Sequence, residues 1–351
     1  MTGVILACVL LGLLLMQRDV KASDAWVVPG APHVLAHHVS FKNGDARLDG
    51  TLYLPATGEH LAAVVVLHDA GIPTRDGKLY DHLRSALPAI GIAVLIYDRR
   101  GTGLSTGSSR VSYETLADDA IAGSRVVQES PRIDPHRIGY WGLSQGGWLA
   151  VIAAARDANA AFAVSISAPI TTPARQMEFA TSNRLRLRGY SARSVAQMLR
   201  ARRTYYDFLR GTQSRSAALK ALTLAKKQPW FGISYLPDPA NLTADPRYSA
   251  ARSQIDEDIT SAIRAIKVPM LFIFGGKDPW VPVAASVERL RALAKEKPRL
   301  QYVVVPNADH TMMFRNRDDM RDDRETFYHQ APQSPVYFMV LGSWLSEVTR
   351  E

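Results

Sequence analysis

Ser144 is the residue of this sequence whose setting best fits a chemical role. It lies at the centre of the sequence Gly-Leu-Ser-Gln-Gly at 142–146, between a short run of β-forming residues at 137–141 and an apolar run of helix formers at 147–155. A sharp turn from strand to helix exposes a serine hydroxyl, and the flanking glycines let strand and helix pack closely around a strained backbone. This setting predicts a nucleophilic serine.

The same five-residue pattern occurs a second time, at 103–107, with Ser105 at its centre. Glycine and serine are common residues, so that roughly one random chain of this length in ten contains such a pattern by chance. The second copy lies several residues past its predicted strand and is followed by Ser108 and Ser109 instead of a helix, which is typical of a loop. The context therefore favours Ser144 as the nucleophile.

A serine nucleophile needs a base that accepts its proton and a group that orients this base. Asp278 and His310 each follow directly on a predicted buried strand downstream of Ser144. In this hypothesis His310 accepts the proton of Ser144, and Asp278 holds the imidazole in the required tautomer and stabilises its charged form. Asp309 is an alternative acid, but its position next to His310 makes the correct orientation of the imidazole difficult.

An oxyanion hole needs two backbone N–H groups aimed at the tetrahedral intermediate. Gln145, directly after the serine, is expected to supply one of them. The other is expected from the loop at 68–71, here called the oxyanion loop, which follows a buried strand at 61–67. We assign it to the amide of Ala70, with the amide of Asp69 as the alternative.

Apolar runs with the length of buried strands alternate with helical segments along much of the chain. The pattern predicts strands at 38–42, 46–54, 61–67, 92–97, 137–141, 161–167, 269–274 and 300–305, and helices at 79–90, 113–128, 147–155, 282–294 and 336–348. The first two strands form a hairpin that turns at Asn43-Gly44. Buried strands alternating with helices indicate a mostly parallel, doubly wound sheet whose carboxyl edge holds the site.

The alternation of strands and helices stops between residues 168 and 269, where 171–225 is predicted to be helical and 228–248 to be a loop. A chain of 351 residues with 47% hydrophobic content can bury one large core that carries such an insertion. We interpret 169–265 as a helical lid over the carboxyl edge of the sheet. The core is then formed by 23–168 and 266–351.

These motifs resemble those of the α/β-hydrolase superfamily, and within it those of bacterial esterases grouped with the serine aminopeptidase-like hydrolases. The resemblance covers about residues 61–147 and 266–310. It rests on a loop at 68–77, on Tyr-Asp-Arg-Arg-Gly-Thr-Gly-Leu-Ser at 97–105, on the turn of Ser144, and on the loops of Asp278 and His310. It implies an α/β-hydrolase fold and an acyl-enzyme mechanism that needs neither a metal nor a cofactor.

Two details of the resemblance carry further expectations. Relatives often have glycine where this chain has Asp69, and a carboxylate aimed into the site would oppose the developing negative charge, so we expect its side chain to point away. Asp98, Arg99 and Arg100 are expected to form ion pairs that stabilise their loop and to take no part in the chemistry. The lid sequence indicates no particular substrate.

The formal net charge of +9 is concentrated between residues 170 and 230. This segment has thirteen lysines and arginines, which are opposed by Glu178 and Asp207 alone. The charges fit the solvated outer face of lid helices, or alternatively the attraction of an anionic substrate or a membrane surface. Neither aromatic nor glycine-rich patterning accompanies them, so nucleic acid is not among the expected partners.

Residues 4–16 form an apolar run that is short for a membrane span, and a typical cleavage site precedes Ser23. This pattern predicts a signal peptide at 1–22 and an exported protein, periplasmic or secreted. The n-region lacks lysine and arginine, which leaves open that 4–16 stays as an anchor, and membrane contact is expected only then. A mature chain that begins at Ser23 supports cleavage, and an intact Met1 supports the anchor. Cys8 is the only cysteine, so the cleaved chain would have no disulfide.

The sequence thus predicts a serine hydrolase for small or medium acyl esters, with anionic esters among the candidates. An exported peptidase or amidase would use the same residues, but it would need lid carboxylates to bind a peptide amine, and Glu178 and Asp207 are the only two between 170 and 230. A thioesterase is a third possibility, although an exported enzyme rarely meets CoA esters. A catalytically silent binding protein of the same fold is the alternative outside catalysis, and the complete Ser-Asp-His set disfavours it.

Overall fold

The computed structural model describes residues 34–71, 73–314 and 333–350. Within these ranges the chain forms one eight-stranded sheet. Its strands are β1 (Val34–Asn43), β2 (Ala46–Pro55), β3 (Leu61–Leu67), β4 (Ile92–Tyr97), β5 (Ile133–Leu143), β6 (Ala163–Ile166), β7 (Met270–Gly275) and β8 (Leu300–Val305). The apolar strands β3, β4 and β7 are buried along their whole length, as expected for strands covered on both faces.

The strands lie in the order β1-β2-β4-β3-β5-β6-β7-β8. β2 pairs antiparallel with both β1 and β4, whereas every other neighbouring pair is parallel. The prediction of a mostly parallel, doubly wound sheet is therefore confirmed. Parallel pairing also brings the carboxyl ends of β3 to β8 to one edge of the sheet, where functional loops lie in folds of this class.

Helices cover both faces of the sheet. The described α-helices are α1 (Asp81–Ala89), α2 (Tyr113–Gln128), α3 (Gln145–Arg156), α4 (Pro173–Leu187), α5 (Ala192–Arg210), α6 (Arg215–Lys226), α7 (Ala250–Gln254), α8 (Thr260–Ala265), α9 (Val283–Ala294) and α10 (Pro335–Val348). Helices α2, α3 and α9 cover one face of the sheet, the face toward which the side chain of Val65 in β3 points. Helices α1 and α10 cover the other face, toward which Val64 points. The alternation of side chains along each strand thus supplies two cores.

Helices α4 to α8 lie in sequence between β6 and β7, together with short 3-10 helices at 231–233, 239–241 and 246–248. The apolar side chains of α4, α5 and α6 form a hydrophobic cluster of their own, in which Leu185, Met198 and Leu222 are fully buried, whereas Ile263 of α8 belongs to the core of the sheet. The inserted helices are therefore held together by burial of their own apolar surface as well as by contact with the sheet.

One predicted turn differs in the structure. Asn43 pairs with Ala46, so that Gly44 and Asp45 form the turn between β1 and β2. Gly44 has a φ of 57°, in the left-handed region that only glycine adopts without strain. A two-residue hairpin turn with positive φ at its first central position requires glycine there, which shifts the turn by one residue from the predicted Asn43-Gly44.

No helix in the described part of the chain is both long enough and apolar enough to cross a bilayer. The predicted signal peptide at 1–22 and the alternative anchor at 4–16 lie outside the described residues. Both stay predictions from the sequence.

Candidate active site

Ser144 occupies the tight turn between β5 and α3, at the carboxyl edge of the sheet. Its φ of 55° lies in the left-handed region, which strains any residue that has a side chain. A side-chain carbon at Gly142 would overlap the backbone of Gly146, and one at Gly146 would overlap the carbonyl of Leu67. The two glycines therefore permit the close approach of strand, turn and helix that forces the serine into this conformation.

The amino end of α3 lies directly beside the serine. Gln145 is the first residue of the helix, so its N–H group has no acceptor within the helix. Ser144 and Gln145 are partly exposed, although Leu143 and Gly146 on either side of them are buried. An exposed N–H at a helix amino end, where the helix dipole is positive, favours an anion. This arrangement fits the predicted role of Gln145 in an oxyanion hole.

Asp278 and His310 are joined by a hydrogen bond of 2.8 Å between Oδ2 and Nδ1. The Asp278 side chain is fully buried, and the His310 side chain is 9% exposed. The second carboxylate oxygen of Asp278 accepts the N–H groups of Trp280 and Val281 at 2.7 and 3.2 Å. Because the carboxylate is fixed on both sides, it holds the imidazole by Nδ1, the orientation in which Nε2 serves as a base.

The pKa of His310 is raised above its usual value of 6.5. Burial by itself would lower this pKa, but the negative charge of Asp278 and its hydrogen bond to the ring together outweigh the lost solvation. Asp309 and Asp69 contribute further in the same direction. An imidazole of raised pKa accepts a proton readily, and it stops acting as a base when the pH falls through its pKa.

The loop after β8 reaches back across the carboxyl end of β7. The N–H of Lys277 donates to the carbonyl of Ala308 at 2.8 Å, which joins the two loops. A side-chain carbon at Gly275 would overlap the carbonyls of the two residues that precede His310. The glycine at the end of β7 therefore leaves the space through which the loop carries His310 from the outermost strand to Asp278.

Asp309, the alternative acid, makes contacts within its own loop. Its Oδ1 accepts the N–H and the hydroxyl of Thr311 at 2.9 and 3.0 Å, and the N–H of Met313 at 3.0 Å. Its own N–H donates to the carbonyl of Met313 at 3.0 Å. These bonds stabilise the turn that follows His310. The two carboxylates therefore have different roles: that of Asp278 binds the imidazole, and that of Asp309 stabilises the loop.

In the oxyanion loop the carboxylate of Asp69 binds Tyr80, which is buried. Its Oδ1 accepts the Tyr80 hydroxyl at 2.9 Å, and its Oδ2 accepts the N–H of Gly71 at 3.0 Å. Burial and the charge of Asp69 raise the pKa of Tyr80, so the phenol keeps its proton. The N–H of Asp69 donates to the same phenol oxygen at 2.9 Å. Because that N–H is already in use, the exposed Ala70 is the better candidate for the second oxyanion donor.

Ser105, in the second copy of the Gly-x-Ser-x-Gly pattern, is buried and fully engaged. Its hydroxyl donates to the carbonyl of Asp98 at 2.6 Å and accepts the N–H of Asp49 at 2.9 Å. These bonds connect the loop after β4 to β2. The structure therefore places Ser105 in a loop, as predicted, with a hydroxyl that is not available to a substrate.

Replacing Ser105 with alanine is expected to destabilise the protein by about 1–3 kcal/mol, because a buried N–H and a buried carbonyl each lose a partner. Any activity that depends on Ser144 as a nucleophile should stay at the wild-type value, since the variant leaves the serine turn at Ser144 intact. Urea unfolding measures the first effect and steady-state kinetics the second. A variant that folds normally but has lost its activity would contradict the assignment of Ser105 to structure.

The charged residues after β4 divide into two groups. Asp98 and Arg100 form ion pairs with Arg75 and Asp119 respectively, as predicted. Arg99 instead donates hydrogen bonds to two carbonyls of the oxyanion loop and to the side-chain carbonyl of a glutamine in α3. Its acceptors are 30, 31 and 46 residues away in the chain, so that no local pattern could indicate them.

The inserted helix α4 contacts the loop that carries Asp278. The side-chain amide of Gln176 donates to the carbonyl of Trp280 at 3.1 Å, and that of Asn183 donates to the carbonyl of Pro279 at 2.9 Å. The same loop provides the N–H groups that hold the Asp278 carboxylate. The insertion therefore supports the position of this carboxylate, which sequence reasoning did not anticipate.

The basic segment between 170 and 230 is not uniformly solvated. Arg184 and Arg202 are buried, with 1% and 2% of their surface exposed. The guanidinium of Arg184 lies 4.5 Å from the ring centre of Trp280 and 4.9 Å from that of Tyr235, and Arg202 donates to the Tyr206 hydroxyl at 2.8 Å. The interpretation of all thirteen charges as an outer face therefore needs correction, because Arg202 packs inside the insertion and Arg184 packs between the insertion and the loop of Asp278.

Comparison with known proteins gives a consistent result. The family model described as "Serine aminopeptidase, S33" matches residues 58–317. An uncharacterized protein of Mycobacterium tuberculosis (strain ATCC 25618 / H37Rv) is 28% identical over 298 residues, which cover 84% of this chain and 80% of that protein. The matched family region contains all the residues of the candidate site.

Two solved structures are similar in fold. An esterase of Pyrococcus furiosus superimposes with a TM-score of 0.57 at 17% identity, over 90% of this chain and 92% of the esterase. A proline iminopeptidase of Mycobacterium smegmatis superimposes with a TM-score of 0.54 at 18% identity, over 90% of this chain and 99% of that protein. At these identities the similarity concerns the fold, and it agrees with the sheet order and helix placement described above.

Proposed function

The chain belongs to the serine aminopeptidase (S33) family of α/β hydrolases, and we propose that it is a serine hydrolase that cleaves carboxylic esters through an acyl-enzyme intermediate. The observation that carries this proposal is the hydrogen bond of 2.8 Å between Asp278 and His310, at the sheet edge where Ser144 occupies a strained turn. A buried acid, a base held by it and a raised serine are the parts that acyl transfer needs.

In the proposed reaction the Ser144 oxygen attacks the ester carbonyl, and His310 takes the serine proton on Nε2. Asp278 stabilises the imidazolium that forms. His310 then gives the proton to the leaving alcohol as the carbon–oxygen bond of the ester breaks, which leaves the acyl group on Ser144. A water molecule, deprotonated by His310, attacks the carbonyl of the acyl-enzyme. The bond between the acyl group and the Ser144 oxygen then breaks, His310 returns the proton to this oxygen, and the carboxylic acid is released.

Each tetrahedral intermediate carries a negatively charged oxygen. We assign the two hydrogen bonds that stabilise this oxygen to the N–H groups of Gln145 and Ala70. The N–H of Gln145 lies at the amino end of α3, where the helix dipole adds to its effect. The carboxylate of Asp69 is held by Tyr80 and Gly71. Loss of a single donor of this kind typically lowers kcat by about 10²–10³-fold.

We assign the insertion at 169–265 to a lid over this site. Its contacts from α4 to the loop of Asp278 support this assignment, since they join the insertion to the carboxyl edge of the sheet. The lid would then set which acyl groups reach Ser144. The exported location predicted from residues 1–22 stays part of the proposal.

The carboxylates of the basic segment at 170–230 bear on whether the substrate is an ester or a peptide. A peptidase needs carboxylates to bind the peptide amine. Glu178 is bound to Arg203 by two hydrogen bonds of 3.0 and 2.9 Å, and Asp207 lies 3.3 Å from Arg210. Both carboxylates between 170 and 230 are thus paired with arginines of the same segment. The pairing of these two carboxylates supports the esterase over the peptidase or amidase of the same fold, and the substrate pair described next tests whether Glu257 and Asp258, further along the insertion, bind an amine.

A matched substrate pair tests the choice between ester and amide. We expect the p-nitrophenyl ester of a short acyl group to be hydrolysed with a kcat/KM at least about 100-fold above that of the p-nitroanilide with the same acyl group, because the amide is the poorer electrophile and gains nothing from a bound amine. Acyl groups from two to twelve carbons, with and without a terminal carboxylate, define the preferred chain and charge. Faster hydrolysis of aminoacyl anilides would instead establish a peptidase.

A further inference from the structure

Arg99 lies in the loop after β4, from which its guanidinium reaches the segments that follow β3 and β5. Its Nη2 donates to the carbonyls of His68 and Asp69 at 2.6 and 3.1 Å, and its Nη1 donates to the side-chain carbonyl of Gln145 at 2.7 Å. One guanidinium thus connects the loop after β3 with the first residue of α3. These are the two segments to which the proposed oxyanion donors belong.

We propose that Arg99 is a positioning residue that sets the relative geometry of the two oxyanion donors. This inference rests on the proposed serine hydrolase function and goes beyond it, because it assigns a role to a side chain outside the Ser144, His310 and Asp278 set. The role is neither a contact with substrate nor an ion pair. It acts through the peptide groups that Arg99 holds.

The link to Ala70 follows from the geometry of the peptide bond. The carbonyl of Asp69 and the N–H of Ala70 belong to one planar trans peptide, in which they point in opposite directions. A hydrogen bond from Arg99 to that carbonyl therefore fixes the direction of the Ala70 N–H. The same bond draws electron density toward the carbonyl oxygen, which makes the N–H a stronger donor.

The link to Gln145 is made through its side chain. The carbonyl oxygen of the side chain accepts from Arg99, and its amide nitrogen lies 3.3 Å from the hydroxyl of Tyr113, which is buried. The side chain is thus held at both of its polar atoms, which restricts the residue whose backbone N–H opens α3. Only a planar guanidinium has the several fixed donors needed to reach three acceptors at once, since a lysine is a single point donor.

Arg132 provides a matched control at the opposite edge of the sheet. It donates to the carbonyl of Gly58 from Nε and Nη2 at 2.9 and 2.8 Å, and to the carbonyl of Pro55 at 2.9 Å. It therefore holds backbone carbonyls of a loop next to β3, as Arg99 does, but the loop precedes the strand instead of following it. A purely structural role of such an arginine can be measured there, away from the candidate site.

The experiment compares Arg99→Met, Arg99→Lys and Arg132→Met with the wild-type protein on a short p-nitrophenyl ester. We expect Arg99→Met to lower kcat by about 100-fold and Arg99→Lys by about 10-fold. KM should change by less than about threefold, because the oxyanion donors interact with the negative charge of the transition state and not with the uncharged ground state of the substrate. Arg132→Met should keep the wild-type kcat and lower only the melting temperature. Arg99→Lys retains the positive charge and the apolar part of the side chain, so this variant tests the proposal even if Arg99→Met does not fold.

A trifluoromethyl ketone supplies a second readout that a structural role would not change. This inhibitor forms a tetrahedral adduct with a negative oxygen, so its inhibition constant should rise in the Arg99 variants by the same factor by which kcat/KM falls. Folded Arg99 variants with a wild-type kcat, or with an increased KM alone, would overturn the inference while the serine hydrolase proposal stands. A wild-type protein that hydrolyses no ester and is not labelled by a fluorophosphonate would overturn both.

Discussion

Replacing Ser144 with alanine is expected to lower kcat for a short p-nitrophenyl ester by at least about 10⁴-fold, because the attacking oxygen is lost and only binding and the oxyanion donors remain. The fold should be unaffected. Alanine keeps the β-carbon, so the strain at a φ of 55° is the same in both proteins, and the melting temperature should change little. Steady-state kinetics and thermal unfolding of the two purified proteins measure these effects.

Ser105→Ala is the matched control for this experiment, because Ser105 lies in the same five-residue pattern. The two variants should give opposite results: loss of activity with normal stability at Ser144, and loss of stability with normal activity at Ser105. A fluorophosphonate should label the wild-type protein and Ser105→Ala but not Ser144→Ala. An active Ser144→Ala would refute the assignment of the nucleophile, and an unlabelled wild-type protein would favour the binding protein without activity.

Replacing Asp278 with asparagine is expected to lower kcat near neutral pH by about 10⁴-fold, because the amide neither stabilises the imidazolium nor holds the imidazole in the required tautomer. Asparagine has nearly the same size, and its side-chain oxygen can still accept the N–H groups of Trp280 and Val281. We therefore expect the loop to keep its conformation. The kinetic loss would then report the electrostatic role of the carboxylate rather than a change in structure.

The pH profile gives the sign of this effect. His310 must be neutral to act as a base, so kcat/KM decreases as the pH falls through its pKa, which in the wild-type protein is raised above 6.5. In Asp278→Asn both contributions of Asp278 that raise this pKa are lost while burial still lowers it, so we expect the pKa of His310 to fall. The acid limb of kcat/KM should therefore move to lower pH in the variant, although the rate itself is reduced. A limb that does not move would argue against Asp278 as the partner of the base.

Asp309→Asn separates a general charge effect from the specific hydrogen bond. Asp309 also contributes to the raised pKa of His310, but its carboxylate contacts Thr311 and Met313. We expect its variant to lose less than about tenfold in kcat and to move the acid limb by less than Asp278→Asn does. A larger loss for Asp309→Asn than for Asp278→Asn would reverse the assignment of the acid.

Many elements of the fold could be predicted from the sequence because their signals are local. Strands β3, β4 and β8 and helix α2 begin and end where the apolar runs predicted. The placement of Ser144, Asp278 and His310 after strands of one parallel sheet could also be predicted, since such strands end at a common edge. The hairpin at Gly44 was misplaced by one residue because composition indicates a turn but does not fix its position.

The sequence by itself thus determined the fold class, the elements that carry the candidate site and the three residues proposed for the chemistry. Only the tertiary structure decided which distant groups touch: Asp278 holds His310 from 32 residues away, Gly275 lets the loop of His310 cross β7, and Arg99 joins both oxyanion segments. The physical reason is that periodicity and turn propensity act over a few residues. A hydrogen bond between side chains or loops far apart depends instead on the order of the strands and on the path of each loop, and both of these are set by the packing of the whole sheet.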